Sequence, residues 1–573
     1  MSKTIVRRTC ASAEQLPADL HPVLRRVYAA RAVETADDLD YSLDKLIPPA
    51  ALSGLPAAVD LLVAAITGRQ RVVIVGDFDA DGATSCALCM RALRALGVTE
   101  VHYLVPNRFE YGYGLTPEIV TVAAGLQPDL IMTVDNGISS IDGVAAARQQ
   151  GIKVLITDHH LPGEQLPAAD AIVNPNNVGD SFASKNLAGV GVAFYVMLAL
   201  RARLREQGWF DREAIAEPNL AQYLDLVALG TVADVVQLDH NNRILVQQGV
   251  QRMRAGHCVP GIRALLESGG RSLSRLVSTD LGFTVGPRLN AAGRLEDMSL
   301  GIECLLTDDP AAASHMAARL DTLNRERKDI ESDMQSRALE AIANLKLDDK
   351  QLPVGLCLFD PDWHQGVIGI LAARIKERFH RPVVAFARSG NGEIKGSARS
   401  VSGLHIRDAL DAVAAHHPGM IAKFGGHAMA AGLSLPEDHY PAFAAAFDEE
   451  VSRQLSRDDL NGVIYSDGEL SAQELSLETA QLLRDASPWG QGFPAPVFEG
   501  DFTVVSHRVV GQRHLKMILS PERCDYQIDG IAFNTEVLPR GSQRVHMAYR
   551  LDVNEYRGSV MPQLIIEHME ARR

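Results

Sequence analysis

Short apolar runs alternate with amphipathic stretches through the first half of the chain. Arg71-Val-Val-Ile-Val75 ends at Gly76-Asp77, and apolar runs at 101–105, 129–134, 152–156 and 171–173 repeat the theme. Helix-like segments at 83–96, 115–125 and 140–150 separate them. Apolar strands alternating with helices predict a parallel sheet of α/β type. Further helix is expected at 187–206 and 219–230, and residues 1–65 read as a helical lead-in.

A long helical pattern starts at Asp309-Pro310, where Asp suits a cap and Pro a first turn. No Gly or Pro interrupts Ala311 to Gln351, and Met316, Leu320, Leu323, Ile330, Met334, Ile342 and Leu345 fall mostly at helical steps. This reads as a helix connecting two domains. A second α/β pattern follows, with strands at 353–359, 382–387, 393–399 and 430–434 and helices at 366–379, 405–415 and 439–455. Beyond about 460 the chain turns β-rich, with Gly-containing turns that suggest a small barrel of OB type. The expected organisation is a lead-in over 1–65, an α/β domain over 66–308, a connecting helix over 309–351, a smaller α/β domain over 352–456 and an OB-like nucleic-acid-binding domain over 457–573.

Composition changes this picture little. The chain has 573 residues, 46% hydrophobic and 22% charged, an ordinary globular balance. Seven scattered cysteines do not form a disulfide framework and point to a reducing cytoplasm. Cys86 and Cys89 lie in an apolar helical run with no second pair, which reads as packing rather than a metal or redox site. The first twenty residues lack the apolar core of a secretory signal, and no membrane span is expected. A net charge of −15 argues mildly against nucleic acid as a partner, but a whole-chain value hides local basic surfaces.

The candidate chemistry sits where strands should end. Asp77, Asp79 and Asp81 lie in Gly76-Asp-Phe-Asp-Ala-Asp-Gly82; Asp135-Asn-Gly137 and Asp158-His-His160 close the next two apolar runs but one, and Asp234 follows a later apolar segment. Ligands of open α/β sheets bind outside the carboxyl ends of strands, so these groups point to one crevice. Several carboxylates cannot stay ionised together without compensating charge. Divalent metals supply it, and a mixed oxygen and imidazole set suits manganese or magnesium. Taken singly, the first run also reads as a capped turn or a calcium loop, Asp135-Asn-Gly as a turn, and His159-His160 as surface histidines.

Asp158-His159-His160 resembles the name-giving motif of the DHH phosphoesterases, and Gly76–Gly82, Asp135-Asn-Gly-Ile and Ala233-Asp234 are similar to its other motifs. Leu187-Ala-Gly-Val-Gly-Val-Ala-Phe194, Gly286-Pro-Arg-Leu-Asn-Ala-Ala-Gly-Arg294, Gly425-Gly-His427 and Pro488-Trp-Gly-Gln-Gly-Phe493 resemble RecJ exonucleases within that superfamily. The resemblance implies hydrolysis of single-stranded DNA from the 5′ end in repair and recombination. It implies two divalent ions, Mn2+ or Mg2+, held by Asp79, Asp81, Asp135, His159 and Asp234 with Asp135 as the bridge. His160 would touch the scissile phosphate and Asp158 would orient a histidine. Many DHH enzymes carry a histidine where this chain has Val75, so the resemblance implies either a weaker first metal site or one that uses Asp77. A monomer in the cytoplasm, with a single-strand-binding protein and a helicase as partners, is also implied.

Groups for holding DNA are expected in three places. The second α/β domain resembles the DHH-associated domain, whose Gly425-Gly426 lets backbone approach a phosphate while His427 donates to it. Lys395-Gly-Ser397-Ala-Arg399 adds charge beside small residues, and Ser397, Arg399 and His427 are the candidate pocket for a terminal 5′ phosphate. Arg288, Asn290 and Arg294 either contact phosphates or form structural ion pairs. Arg108 and Tyr111 suit phosphate contact and base stacking, or else core packing. Two rival readings remain: a DHH enzyme for pyrophosphate or very short RNA, and a non-catalytic relative.

Overall fold

The computed structural model describes residues 3–10, 14–106, 114–344, 352–390, 392–456, 458–486, 488–511, 514–522, 526–535, 537–538, 543–556 and 558–572. The expected α/β sheet forms from five parallel strands, in the order Val101–Leu104, Val72–Gly76, Leu130–Val134, Lys153–Thr157, Ala171–Val173. The first strand in sequence thus lies between the second and the third, so the connections diverge between Val72–Gly76 and Leu130–Val134. That is a topological switch point, and the crevice it opens receives Asp77 to Asp81 from one strand end and Asp135 from the other. Strands buried on both faces explain the unbroken apolar runs.

The connecting helix runs Pro310–Asn344, with Asp309 Oδ1 accepting from Ala311 N–H at 2.9 Å. Residues 345–351 of the expected helix lie outside the described residues. The second domain carries a mixed sheet in the order Lys423–Gly426, Ala430–Pro436, Glu393–Arg399, Val383–Gly390, Leu356–Phe359. Its first strand was hidden in the sequence because Lys423-Phe-Gly-Gly offers no alternation. Beyond it, the strands Phe498–Val510, His514–Pro521, Ile528–Ala532, Arg544–Tyr556 and Ser559–Ala571 close into a barrel.

The lead-in needs correction. Residues Thr4–Arg7 form a strand, paired in parallel with Val463–Ser466 ahead of the barrel. Its short alternation carries no signal until that distant partner is in place. The barrel and the first domain share one hydrophobic core. Tyr28 stacks on Trp489 with ring centroids 6.0 Å apart, and Trp489 on Phe493 at 5.3 Å. Arg31 forks onto buried Asp467 at 2.9 and 3.0 Å. The motif Pro488-Trp-Gly-Gln-Gly-Phe493, just ahead of the barrel, therefore meets the N-terminal helix at Tyr28 and the first domain at Leu238: Leu238 N–H donates to the Gln491 carbonyl at 2.7 Å, and Gly490 leaves room for the Leu238 side chain. Among the described residues no single helix is long and apolar enough to cross a membrane.

Candidate active site

Asp79 caps the helix Ala80–Ala95, its Oδ1 accepting from Asp81 and Gly82 N–H at 2.9 and 3.0 Å. That cap fixes the acidic loop. The Gly286–Arg294 motif braces it from the far side. Asn290 Oδ1 accepts from Ala80 N–H at 2.8 Å, and a Cβ on Gly293 would lie 1.8 Å from the Phe78 carbonyl oxygen. Asn290 is therefore engaged in holding the loop between Asp77 and Asp81. Gly293→Ala should displace Phe78 and the acids on either side of it. We expect kcat to fall about tenfold, on the order of 1.4 kcal/mol in the barrier, with KM little changed; kcat within twofold of wild type would show that the loop tolerates the shift.

Asp135 adopts a left-handed backbone with φ of 62°, an uncommon state for a non-glycine residue outside special sites. It is held there from both sides. Asn136 Nδ2 donates to the Val75 and Val134 carbonyls at 3.1 and 2.9 Å, tying the two strand ends together. Gly189, at the start of the helix Gly189–Glu206, packs so close that its Cβ would lie 2.5 Å from the Asp135 Cβ. The same helix start donates from Gly189 and Val190 N–H to both oxygens of Asp81, at 2.6 and 3.0 Å. Gly189 of Leu187–Phe194 thus serves close approach to the acids.

Asp158 is buried and accepts from Ile138 N–H at 2.9 Å and from His160 Nδ1 at 2.7 Å. The histidine it orients is His160. Burial works against charge on His160, but the bond and charge of Asp158, with Asp234 and Asp77 behind them, raise its pKa to about 9. His159 goes the other way: burial and the neighbouring His160 depress it to about 4, leaving a neutral imidazole, the form that binds metal. Its Nε2 lies 3.1 Å from Asp135 Oδ1 and 3.5 Å from Asp234 Oδ2.

Three groups have ligand atoms all within 4.8 Å of one another: Asp77, Asp79 and Asp135; Asp135, His159 and His160; Asp81, His159 and Asp234. Asp135 and His159 each belong to two of them. Burial and mutual repulsion push the carboxyl groups up, Asp81 to about 7 and Asp135 and Asp234 well above the usual range. A set of carboxylates that resist ionising together, with neutral imidazole among them, fits divalent cations and is costly without them. Asp77 falls inside the first group.

Across the crevice stands the second domain. The His427 ring lies 6.4 Å from that of His160 and nearly parallel, at 18°. Gly425 has open space where a Cβ would be, and Gly426, at φ of 144°, would place one 2.4 Å from the Ala431 Cα. Beside this loop a cavity of about 310 Å³ is lined by Arg294, Gln365, Gly369, Lys395, Ser397 and Arg399 among others. Arg399 donates to Ser397 Oγ at 3.0 Å and to the Ala398 carbonyl, and among the described residues it holds no carboxylate. Gln365 and Gly369 escaped sequence reasoning. The signal was the pair Gly366 and Gly369 opening a helix: a Cβ on Gly369 would lie 2.9 Å from Arg399 and 3.0 Å from Ser397.

Arg288 is placed elsewhere. It pairs with Asp321 at 2.8 Å and donates to the Thr284 carbonyl, the structural ion pair of the two alternatives. Arg108 and Tyr111 lie outside the described residues.

A parallel α/β domain with clustered acids and histidines at its switch point, a second domain closing over it and an OB-like barrel define a DHH-type phosphoesterase built for a polymer. Family models match in the same order: the DHH family N-terminal domain over 71–231, the DHHA1 domain over 351–453 and the RecJ OB domain over 466–568. The chain is 56% identical over 569 residues to the single-stranded-DNA-specific exonuclease RecJ of Dickeya dadantii, covering 99% of both chains. Crystal structures of RecJ from Thermus thermophilus are similar throughout. The Mn2+ complex has a TM-score of 0.81 at 30% identity, and the Mg2+ complex 0.75 at 27%, each covering 100% of this chain and 79% and 78% of theirs. The chain belongs to the RecJ family of single-stranded-DNA-specific exonucleases.

Proposed function

We propose that this chain degrades single-stranded DNA from its 5′ end, one nucleotide at a time, with two divalent cations at the crevice. Supporting this is the sharing of Asp135 between two ligand groups, one of which includes His160, whose ring faces that of His427. Asp77, Asp79, Asp135, His159, Asp81 and Asp234 would hold the cations, which when bound neutralise the phosphate and lower the pKa of an attacking water. The chain's own residues do the rest. Charged His160, fixed by Asp158, donates to the scissile phosphate, and His427 approaches the same group from the second domain. Arg294, Lys395, Ser397 and Arg399 form a cationic cavity beyond the cleavage point, sized for a terminal 5′ phosphate, and Gly425-Gly426 lets the strand pass close to backbone. An end held there sets the polarity.

The barrel gives the rest of the strand a surface. Of the basic residues on it, Lys516 is paired with Asp529 and Arg550 with Glu567. Arg513 and Arg557 lie outside the described residues, as does the side chain of Tyr556. Phe533 stands out instead: it is 52% exposed, with the His514 ring edge-on at 5.2 Å. Stacking on a base contributes roughly 1–3 kcal/mol. Phe533→Ala should weaken binding of a 30-mer about fivefold and of a trinucleotide hardly at all, read by fluorescence anisotropy at fixed salt. Equal effects on both lengths would remove Phe533 from the DNA path.

The reading extends to DNA repair and recombination in the cytoplasm, as a monomer working with a single-strand-binding protein and a helicase. Its test is digestion of end-labelled single- and double-stranded DNA with manganese, magnesium or chelator. Mononucleotides released from the 5′ end of single strands only, and none with chelator, are expected. Turnover of pyrophosphate or dinucleotides with no action on 30-mers would replace this reading.

A further inference from the structure

The turn bearing His427 is fastened to a neighbouring helix. Ile406 N–H, at the start of the helix Ile406–His416, donates to the Ala428 carbonyl at 2.9 Å, and Ser400 N–H donates to the Met429 carbonyl at 3.0 Å. His405 and Arg407 therefore stand beside the His427 turn, at the mouth of the crevice that His160 lines. His405 is held in place: its Nδ1 accepts from Asp408 N–H at 3.3 Å and lies 3.0 Å from the Asp408 carboxylate.

Arg407 is different. It is exposed and, among the described residues, makes no hydrogen bond or ion pair. Three other arginines of the same domain are occupied: Arg374 by Glu331, Arg388 by Glu437, Arg453 by Glu450. An unpaired guanidinium beside the reaction crevice, in a chain of net charge −15, is placed to meet an anion rather than to stabilise the fold. It also shares one electrostatic field with the crevice: burial, then His160, Arg407 and His405, depress the ionisation of His427.

We propose that Arg407 contacts the phosphodiester adjacent to the scissile one in bound single-stranded DNA. This rests on reading the His160 crevice as the cleavage site. Arg407 is then a substrate-binding residue on the second domain, separate from the Ser397–Arg399 cavity. It makes the enzyme favour a strand over an isolated phosphodiester, because only a strand presents a second phosphate at that distance.

The experiment compares full-length wild type, Arg407→Gln and Arg407→Lys on a single-stranded 30-mer across a salt series. The p-nitrophenyl ester of thymidine 5′-monophosphate, with a single phosphate, is the small substrate. Arg407→Gln should lose about tenfold in kcat/KM on the 30-mer, mostly through KM, and clearly less on the ester. One phosphate contact fewer should flatten the slope of log kcat/KM against log salt by about 0.7, and Arg407→Lys should restore it. An unchanged slope, or equal loss on strand and ester, overturns the assignment. The same slope is read from equilibrium binding of the 30-mer in chelator. Wild-type protein unable to cleave would remove the reading of the crevice, while the binding slope would still decide Arg407.

Discussion

Asp135→Ala is expected to lower the turnover of single-stranded DNA by at least about a thousandfold, roughly 4 kcal/mol in the barrier. Asp135 is the only carboxylate shared by two of the ligand groups among the described residues, so its loss disturbs both at once. The other acids each belong to one group. Removing one carboxyl from a site crowded with like charges should also relieve repulsion, so the folded protein should melt no lower than wild type without metal. Affinity for a single-stranded 30-mer should largely survive, because the cationic cavity and the barrel are untouched. Chelation of wild-type protein should reproduce the loss, and added manganese should reverse it there but not in the variant. A variant that keeps a tenth of the wild-type rate would sink the assignment of Asp135 as the bridge.

Arg399→Ala should cost about a hundredfold in kcat/KM on 5′-phosphorylated strands, about 2.7 kcal/mol, within the range of a hydrogen bond to a charged group in a buried setting. On strands ending in a 5′ hydroxyl the loss should be only a few-fold. The reason is local. Burial lowers the pKa of Arg399, no carboxylate among the described residues offsets its charge, and Ser397 and Lys395 line the same cavity. Such a group is poised for an anion brought from outside. Equal losses on both substrates would make Arg399 a general backbone contact and leave the polarity of digestion unexplained.

Much of the site was legible along the chain. The acids and histidines of 77–81, 135 and 158–160 follow a strand or open a helix, whereas Asp234 ends the helix Leu224–Ala233; strand ends are marked by where apolar runs stop. Three strands of the first sheet, Val72–Gly76, Leu130–Val134 and Lys153–Thr157, were readable for the same reason: buried on both faces, they leave continuous apolar runs. Periodicity and strand-end position are local properties, so the sequence alone determined the α/β class, the acids that converge and the chemistry they suit.

Other assignments required partners distant in sequence. Asn290 and Arg288 look alike as polar residues of one motif, yet one holds the acidic loop through Ala80 and the other pairs with Asp321. The strand Thr4–Arg7 exists because Val463–Ser466 lies beside it, and Pro488–Phe493 proves to be packing because Tyr28 and Leu238 meet it. Which histidine Asp158 orients is settled by a bond of 2.7 Å to His160. Whether a charge is spent on a neighbour or left for a ligand is invisible in residue type: Lys516 has a carboxylate at 3.0 Å, whereas Arg407 has none among the described residues. Hydrophobic periodicity encodes burial one element at a time, whereas pairing, register and the fate of each charge depend on contacts that form only when the chain closes on itself.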